Sequence, residues 1–460
     1  MKKQLIILCS ILALSANAQT PIERLANAPN MKHAQIGFQI REIGTNKVIA
    51  EYQPQKSLTP ASVAKIITTA TALDILGADF RFVTRLEYNG KLANGTLNGN
   101  LYIIGGGDPA LGSEFLGNAG FIAAWIEAVK KAGINTVNGK IMANADVFDR
   151  EPVPLRWTWE DMGNYYAAGV YGVSAFDNTY RIYFDSQGFG ARPKITRTIP
   201  DVNYHFENRL QNANNQKDSA YIYGMPYSNE RIIVGTIPAN KKDFVVKGDI
   251  ANPPQFLADF FAKELLKSGI TVKNNTILDF TNNENKTFFT HLSPTLAEIV
   301  KVTNFKSINL FAEHLFKFLS LQKAKVGNNN DAVSVILNHW KKKGLDISGV
   351  FLYDGSGLSP QNAVSVDFLT QLLVIARKNE AFYLSLPLAG REGTVAGFLK
   401  GTALEGNARL KSGSIDGVQT YAGYVKNGGK EYAVTIIVNR FTGNRSEVRR
   451  QISELLNSYF

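Results

Sequence analysis

Ser62 and Lys65 stand one helical turn apart in the run Ser62-Val63-Ala64-Lys65. A serine hydroxyl is a poor nucleophile until something takes its proton, and a lysine amine takes it only where its surroundings hold it neutral. On a helix, residues three apart share a face, so these two side chains can meet. The pattern is short, and Ser320-Leu321-Gln322-Lys323 repeats it inside an apolar helical stretch, where it reads as a small helix residue and a solvated lysine. Two more stretches carry chemistry. Ser307-Ile308-Asn309 has the form S-x-N, and Lys411-Ser412-Gly413-Ser414-Ile415-Asp416-Gly417 opens with K-[ST]-G on a predicted strand. Lys267-Ser268-Gly269 fits the latter pattern too, but it falls where an amphipathic helix ends and reads as ordinary C-terminal helix residues. Lys411 instead precedes a glycine within a strand, where the missing side chain lets another backbone or a ligand come close.

These residues need elements to hold them. Ser62 to Leu76, closed by Gly77, reads as a buried helix. Ahead of it, Ala34 to Ile40 alternates, turns at Gly44-Thr45-Asn46 and resumes through Lys47 to Ala50, which is a hairpin pattern. From Arg81 to Phe148 short alternating runs are broken by Asn-Gly and Gly-Gly turns. The chain becomes polar and irregular over 190–245, with strand-like Arg231 to Gly235, and is helical again over 255–269. From about 293 it is mostly helical and then ends in strands: Ala408 to Lys411, Thr420 to Lys426 and Tyr432 to Val438, followed by a helix from Arg445 to Ser458. The two terminal hairpins can pair in one antiparallel sheet with helices packed on it, the middle of the chain being an excursion.

At 460 residues, 45% hydrophobic and 19% charged, the chain has a globular composition and room for more than one domain. Residues 1–18 read as a secretory leader: Lys2 and Lys3, an apolar run from Leu5 to Leu14, then Ala16-Asn17-Ala18. Its single cysteine, Cys9, lies in that leader, so the expected mature chain has neither disulfides nor thiol chemistry. With five histidines and no H-E-x-x-H spacing, metal-free chemistry and no cofactor are expected. Net charge is +11, falling by two to +9 without Lys2 and Lys3. Such a charge suits anionic wall polymers or peripheral membrane contact, or only keeps the protein soluble; no basic run or motif suggests nucleic acid.

S-x-x-K, S-x-N and K-[ST]-G, in that order, form the signature set of penicillin-recognising serine enzymes. The spacing of some 240 residues between Ser62 and Ser307 resembles the class C low-molecular-mass penicillin-binding proteins, the D-alanyl-D-alanine carboxypeptidase/endopeptidase family. Trp157 to Met162, Asp354-Gly355-Ser356-Gly357-Leu358-Ser359, Leu386 to Gly390 with Gly393-Thr394, and Tyr421 to Val425 are similar to that family's segments. The resemblance implies an α/β (α+β) fold with a penicillin-binding-protein/β-lactamase-like transpeptidase core, an antiparallel sheet flanked by helices, and two nested β-rich inserts. The expected division is 1–18 leader, 19–80 with 293–460 catalytic domain, 81–189 with 246–292 first insert, and 190–245 second insert.

By the same resemblance, Ser62 attacks the penultimate D-alanine of a peptidoglycan stem peptide or cross-link, and β-lactams trap it covalently. Lys65 takes the serine proton, its basicity lowered by burial and by Lys411. Ser307 relays a proton to the leaving amine, bridging Lys65 and Lys411, and Asn309 binds substrate backbone and steadies Lys65. The N–H groups of Ser62 and Ser414 form an oxyanion hole, Lys411 and Ser412 beside Gly413 hold the terminal carboxylate, and Asp161, with Tyr166 packed beside it, binds the amino end of the stem's diamino acid. Where relatives have an arginine after D-G-S-G-L-S, this chain has Pro360-Gln361. A site with Asp161 and Asp416 and no arginine is expected to favour an ammonium over a free carboxylate. A β-lactamase or esterase on the same core and a non-catalytic peptidoglycan-binding protein are the alternatives; oligomeric state is open.

Overall fold

The two ends of the chain meet in one sheet. The computed structural model describes residues 19–117, 120–274 and 284–460, so the leader expected over 1–18 lies outside the described residues. Strands β1 (Gln35–Glu42) and β2 (Val48–Tyr52) come from the N-terminal side, and β3 (Ala408–Ile415), β4 (Val418–Asn427) and β5 (Lys430–Asn439) from the C-terminal side. Their order is β2-β1-β5-β4-β3, with every neighbouring pair antiparallel. β1 joins β5 with Phe38 opposite Ile436 and Ile40 opposite Val434. Alternation along β5 sends Ala433 and Ile437 into one core and Val434, Ile436 and Val438 into another, so the sheet is covered on both faces.

On the first face lie helices α1 (Ala64–Leu76), α2 (Leu296–Lys306), α3 (Asn309–Leu319) and α4 (Val366–Ala376). Ala64 to Leu73 are all buried, as suits a helix apolar all round. Burial of Ile66, Ile67 and Leu73 contributes about 1.5–3 kcal/mol each. Gly77, at φ +85°, ends the helix where a side chain would be strained. On the second face, α5 (Arg445–Asn457) buries Val448, Ile452, Leu455 and Leu456, an i, i+4, i+7, i+8 stripe, and leaves its arginines outside.

The excursion between α1 and α2 has two further cores. Strands 83–88, 101–104, 141–144 and 286–292 form one sheet, and Trp125, Phe121, Phe261 and Leu265 pack beneath it. Strands between 179 and 249 enclose a smaller core of Tyr180, Ile182, Phe184, Leu210, Ile222, Ile233 and Val246. The mixed α/β fold is the one expected from the sequence. In the two repeated motifs the lysines are exposed and paired, Lys323 with Asp331 and Lys267 with Glu264 at a helix end, and the buried Ser320 hydroxyl is bonded to backbone alone. Among the described residues no helix is long and apolar enough to cross a membrane.

Candidate active site

Ser62 lies in a 3-10 turn, Ala61–Val63, just ahead of α1 rather than inside the α-helix as its spacing suggested. The turn is possible because Ala61 adopts φ +47°, a left-handed conformation that costs an L-residue about 1–2 kcal/mol. Neighbouring chain holds it there. A Cβ on Gly357 (φ +80°) would lie 1.9 Å from the Ala61 carbonyl oxygen, so only glycine lets the 354–359 loop close onto this turn. From the other side, Thr420 Oγ1 donates to the Pro60 carbonyl at 2.9 Å.

Lys65 is completely buried and its Nζ has three acceptors: Asn309 Oδ1 at 2.6 Å, the Ser356 carbonyl at 2.7 Å and Ser62 Oγ at 3.0 Å. A neutral amine has two N–H donors and one lone pair. With the two shorter bonds occupied by donors, the lone pair faces the serine hydroxyl. Burial lowers the Lys65 amine to about 7, against the opposing pull of Glu313 and Asp354. The influence expected of Lys411 on Lys65 runs the other way: Lys411 is also completely buried, and burial followed by the charge of Lys65 puts its amine well below the ordinary lysine value.

Ser307 ends α2 in a left-handed conformation, φ +59°, where glycine or asparagine is the usual occupant. Its hydroxyl accepts from Lys411 Nζ at 2.8 Å, which separates it from an ordinary cap. The expected bridge is one-sided, because among the described residues Ser307 has no hydrogen bond to Lys65. Asn309 opens α3; its Oδ1 takes the lysine and its Nδ2 donates to the Tyr166 carbonyl at 2.8 Å, so one amide hydrogen expected for substrate is already engaged. Lys411 Nζ also donates to the Ser412 carbonyl at 2.7 Å, while Ser412 Oγ donates to Thr394 Oγ1 at 2.8 Å.

β3 runs directly past Ser62. A Cβ on Gly413 would stand 2.3 Å from Thr420 Oγ1, 2.8 Å from the Ser62 backbone nitrogen and 2.9 Å from the Pro60 carbonyl oxygen, the close backbone approach that the glycine in this strand suggested. Ser414, one residue on, faces an open cleft of about 860 Å³ that also receives Ser62, Ser307, Asn309, Asp161, Tyr166 and Asp416. Lys65 and Lys411 lie beneath its floor, and Ser412 is turned toward Thr394.

The excursion supplies one wall. Trp157 Nε1 donates to Asp354 Oδ2 at 2.9 Å, and the bond from Asn309 to Tyr166 pins the same segment nine residues later. Asp354, 1% exposed, also accepts from the backbone of Gly357 and Ser359 and from Asn362, so one carboxylate ties this segment to the loop beside the Ser62 turn. Asp161 accepts from Thr158 Oγ1 at 2.6 Å and lies near Tyr166, whose phenolic proton is held more tightly by burial and by that carboxylate. Among the described residues it has no ion-pair partner.

Three features were missed. Arg440 reaches the cleft from the end of β5, brought there by pairing of Val418 with Asn439 and by its N–H to the Gly417 carbonyl at 2.6 Å. It is exposed and, among the described residues, without an ion-pair partner. The expectation of a cleft without arginine is therefore corrected: the position after the loop has none, but another strand delivers one beside Asp416. Register across a distant hairpin carries no local signal for this. Tyr221 also lines the cleft, from the smaller insert. Glu313, buried one turn after Asn309, was legible as a lone charge within an apolar helical run.

The profile of the D-Ala-D-Ala carboxypeptidase 3 (S13) family matches residues 18–459. The chain is 27% identical over 433 residues to D-alanyl-D-alanine carboxypeptidase DacB of Haemophilus influenzae, covering 92% of this chain and 88% of that protein. It is 28% identical over 445 residues to a D-alanyl-D-alanine carboxypeptidase of an Actinomadura species, covering 92% and 81%. The crystal structure of penicillin binding protein 4 (dacB) from Haemophilus influenzae has the same fold, with a TM-score of 0.80 at 24% identity over 95% of this chain and 98% of that one.

Proposed function

The chain belongs to the D-Ala-D-Ala carboxypeptidase 3 (S13) family, and from that premise we propose how its residues divide the work. It is a serine-type D-alanyl-D-alanine carboxypeptidase, which displaces the readings as a β-lactamase or as a non-catalytic binding protein. Ser62 is the nucleophile. Its Oγ attacks the carbonyl carbon of the penultimate D-alanine while the lone pair of neutral Lys65 takes its proton. The observation that carries this reading is the Lys65 amine, committed to Asn309 and Ser356 by two short bonds and open to Ser62 at 3.0 Å.

The oxyanion of the tetrahedral intermediate is received by the N–H groups of Ser62 and Ser414, each worth about 3 kcal/mol in comparable sites. Collapse breaks the C–N bond, and the leaving amine takes a proton from the Ser307 hydroxyl, which is re-protonated by way of Lys411 at the expense of the Lys65 ammonium, so that Lys65 is neutral again. Water then attacks the acyl-enzyme with Lys65 again as base, releasing the shortened peptide. The substrate's terminal carboxylate is held by Lys411 with the hydroxyls of Ser412 and Thr394. Its arrival favours the ammonium form of Lys411, which the empty site disfavours.

Asp161, with Tyr166 beside it, takes the ammonium of the stem's diamino acid, and Arg440 with Asp416 sets the response to any carboxylate there. The open cleft between core and excursion supports cleavage of cross-links as well as free ends. The separate cores support a catalytic domain interrupted by two nested inserts, the smaller extending over about 179–250. Export through residues 1–18, to the periplasm or cell wall, completes the reading. Release of D-alanine from a pentapeptide and of monomers from a cross-linked dimer, measured for the native protein and Ser62→Ala, tests it. Release by the native protein alone supports the assignment, and equal release by the variant refutes it.

A further inference from the structure

Glu313 is 2% exposed and lies one helical turn beyond Asn309 on α3. Its Oε1 accepts the N–H of Ser356 at 2.7 Å and that of Gly355 at 3.1 Å, and its Oε2 accepts Gly355 again at 3.0 Å. The carbonyl of the same Ser356 takes a hydrogen bond from Lys65 Nζ. A single carboxylate thus holds the amide on the N-terminal side of Ser356, while the lysine is aimed at the carbonyl on its C-terminal side. Packing does not require Glu313 to be charged. A glutamine oxygen in the Oε1 position would keep a bond from each N–H group, losing only the second one from Gly355 to Oε2, and a buried carboxylate without a contacting cation is costly. Among the described residues Glu313 has no ion-pair partner.

We infer that Glu313 is a positioning residue that titrates together with Lys65 across Ser356 and so sets the pH range in which Lys65 acts as a base. The inference rests on the Ser62–Lys65 reading above. The charged and titratable groups facing the pair are few. From α1 there is Lys65 itself, from the 354–359 loop Asp354, from β3 Lys411, and from α3 Lys317, which is paired with Asp149. His314, next along α3, is buried and held neutral. Burial, and then the charge of Asp354, push the Glu313 carboxyl up, while Glu313 opposes the downward effect of burial on Lys65. Two groups so placed titrate together: the first proton lost is distributed between them, and Lys65 becomes fully neutral only with the second.

The test is the rate of benzylpenicillin acylation against pH, followed by intact mass, for the native protein, Glu313→Gln and Glu313→Asp. The native acid limb should be drawn out over two titrations. Glu313→Gln keeps the two Oε1 bonds but removes the charge, so its limb should become a single titration that reaches a similar plateau about one pH unit earlier, acylating severalfold faster within the native limb and alike at its acid foot, where Glu313 is itself protonated. Glu313→Asp keeps the charge and should keep the native limb with a lower plateau. Coincident limbs in the native and glutamine proteins overturn the inference, and so do equal shifts in both variants, which would reflect displacement of the loop alone. No adduct on folded native protein, or an equal adduct on Ser62→Ala, defeats the underlying Ser62 reading and with it this inference, and the mass alone tells that result apart.

Discussion

Gly413→Ala places one methyl group between β3 and Ser62. In the present geometry that carbon would stand 2.8 Å from the Ser62 nitrogen and 2.3 Å from Thr420 Oγ1, whereas ordinary contact begins at 3.4 Å. Relief requires the strand to retreat by about 0.6 Å from Ser62 and farther from Thr420, whose hydroxyl is fixed to the Pro60 carbonyl. A donor that contacts an oxyanion at about 2.9 Å then stands near 3.5 Å, where a hydrogen bond is largely lost. If Ser62 and Ser414 N–H groups form the oxyanion hole, loss of one costs about 3 kcal/mol and slows acylation about 10²-fold. Overpacking also costs about 1–3 kcal/mol of stability. Stopped-flow acylation by a chromogenic cephalosporin, with thermal melting in parallel, measures both. Gly397→Ala, where an added Cβ meets nothing within 4 Å, is the control and should leave rate and melting nearly unchanged. A folded Gly413→Ala protein that acylates within threefold of native would refute the strand's place in the oxyanion hole.

Two further outcomes concern the cleft wall. Arg440→Gln should reduce the preference for stem peptides with a free over an amidated side-chain carboxylate by about tenfold, the worth of one charge-assisted contact at an exposed site, whereas Asp161→Asn should do the same for a free over an acetylated side-chain amine; competition between paired peptides reads both, and unchanged ratios would remove these residues from recognition. Trp157→Phe removes the N–H to Asp354 and should cost about 1–3 kcal/mol of stability, with KM for peptide rising more than kcat falls because the Asp161 wall loosens while Lys65 keeps its partners; a fall confined to kcat would contradict that division.

The three motifs that the fold brings together were legible because each is local: S-x-x-K spans one turn, S-x-N spans the joint between two helices, and K-[ST]-G lies along one strand. The terminal hairpins were equally readable from alternation, and their pairing followed from the need to cover both edges of a short sheet. Conformation was less readable. Ala61 and Ser307 adopt left-handed backbone that neither residue favours, so their sequence gives no hint of it and surrounding contacts enforce it. Arg440 illustrates a second limit. Its place in the cleft depends on the register of two strands and the reach of a turn, information that exists only once β4 and β5 are paired. The direction of influence between Lys65 and Lys411 also escaped the sequence, because it follows from which amine has carboxylates behind it.

The most direct test of the central claim, that Ser62 is acylated with Lys65 as its base, is intact mass and peptide mapping after exposure to benzylpenicillin. The account expects a single added penicilloyl mass on the peptide containing Ser62, absent from Ser62→Ala and formed far more slowly by Lys65→Met. An adduct on another residue, or undiminished acylation without Lys65, would contradict it.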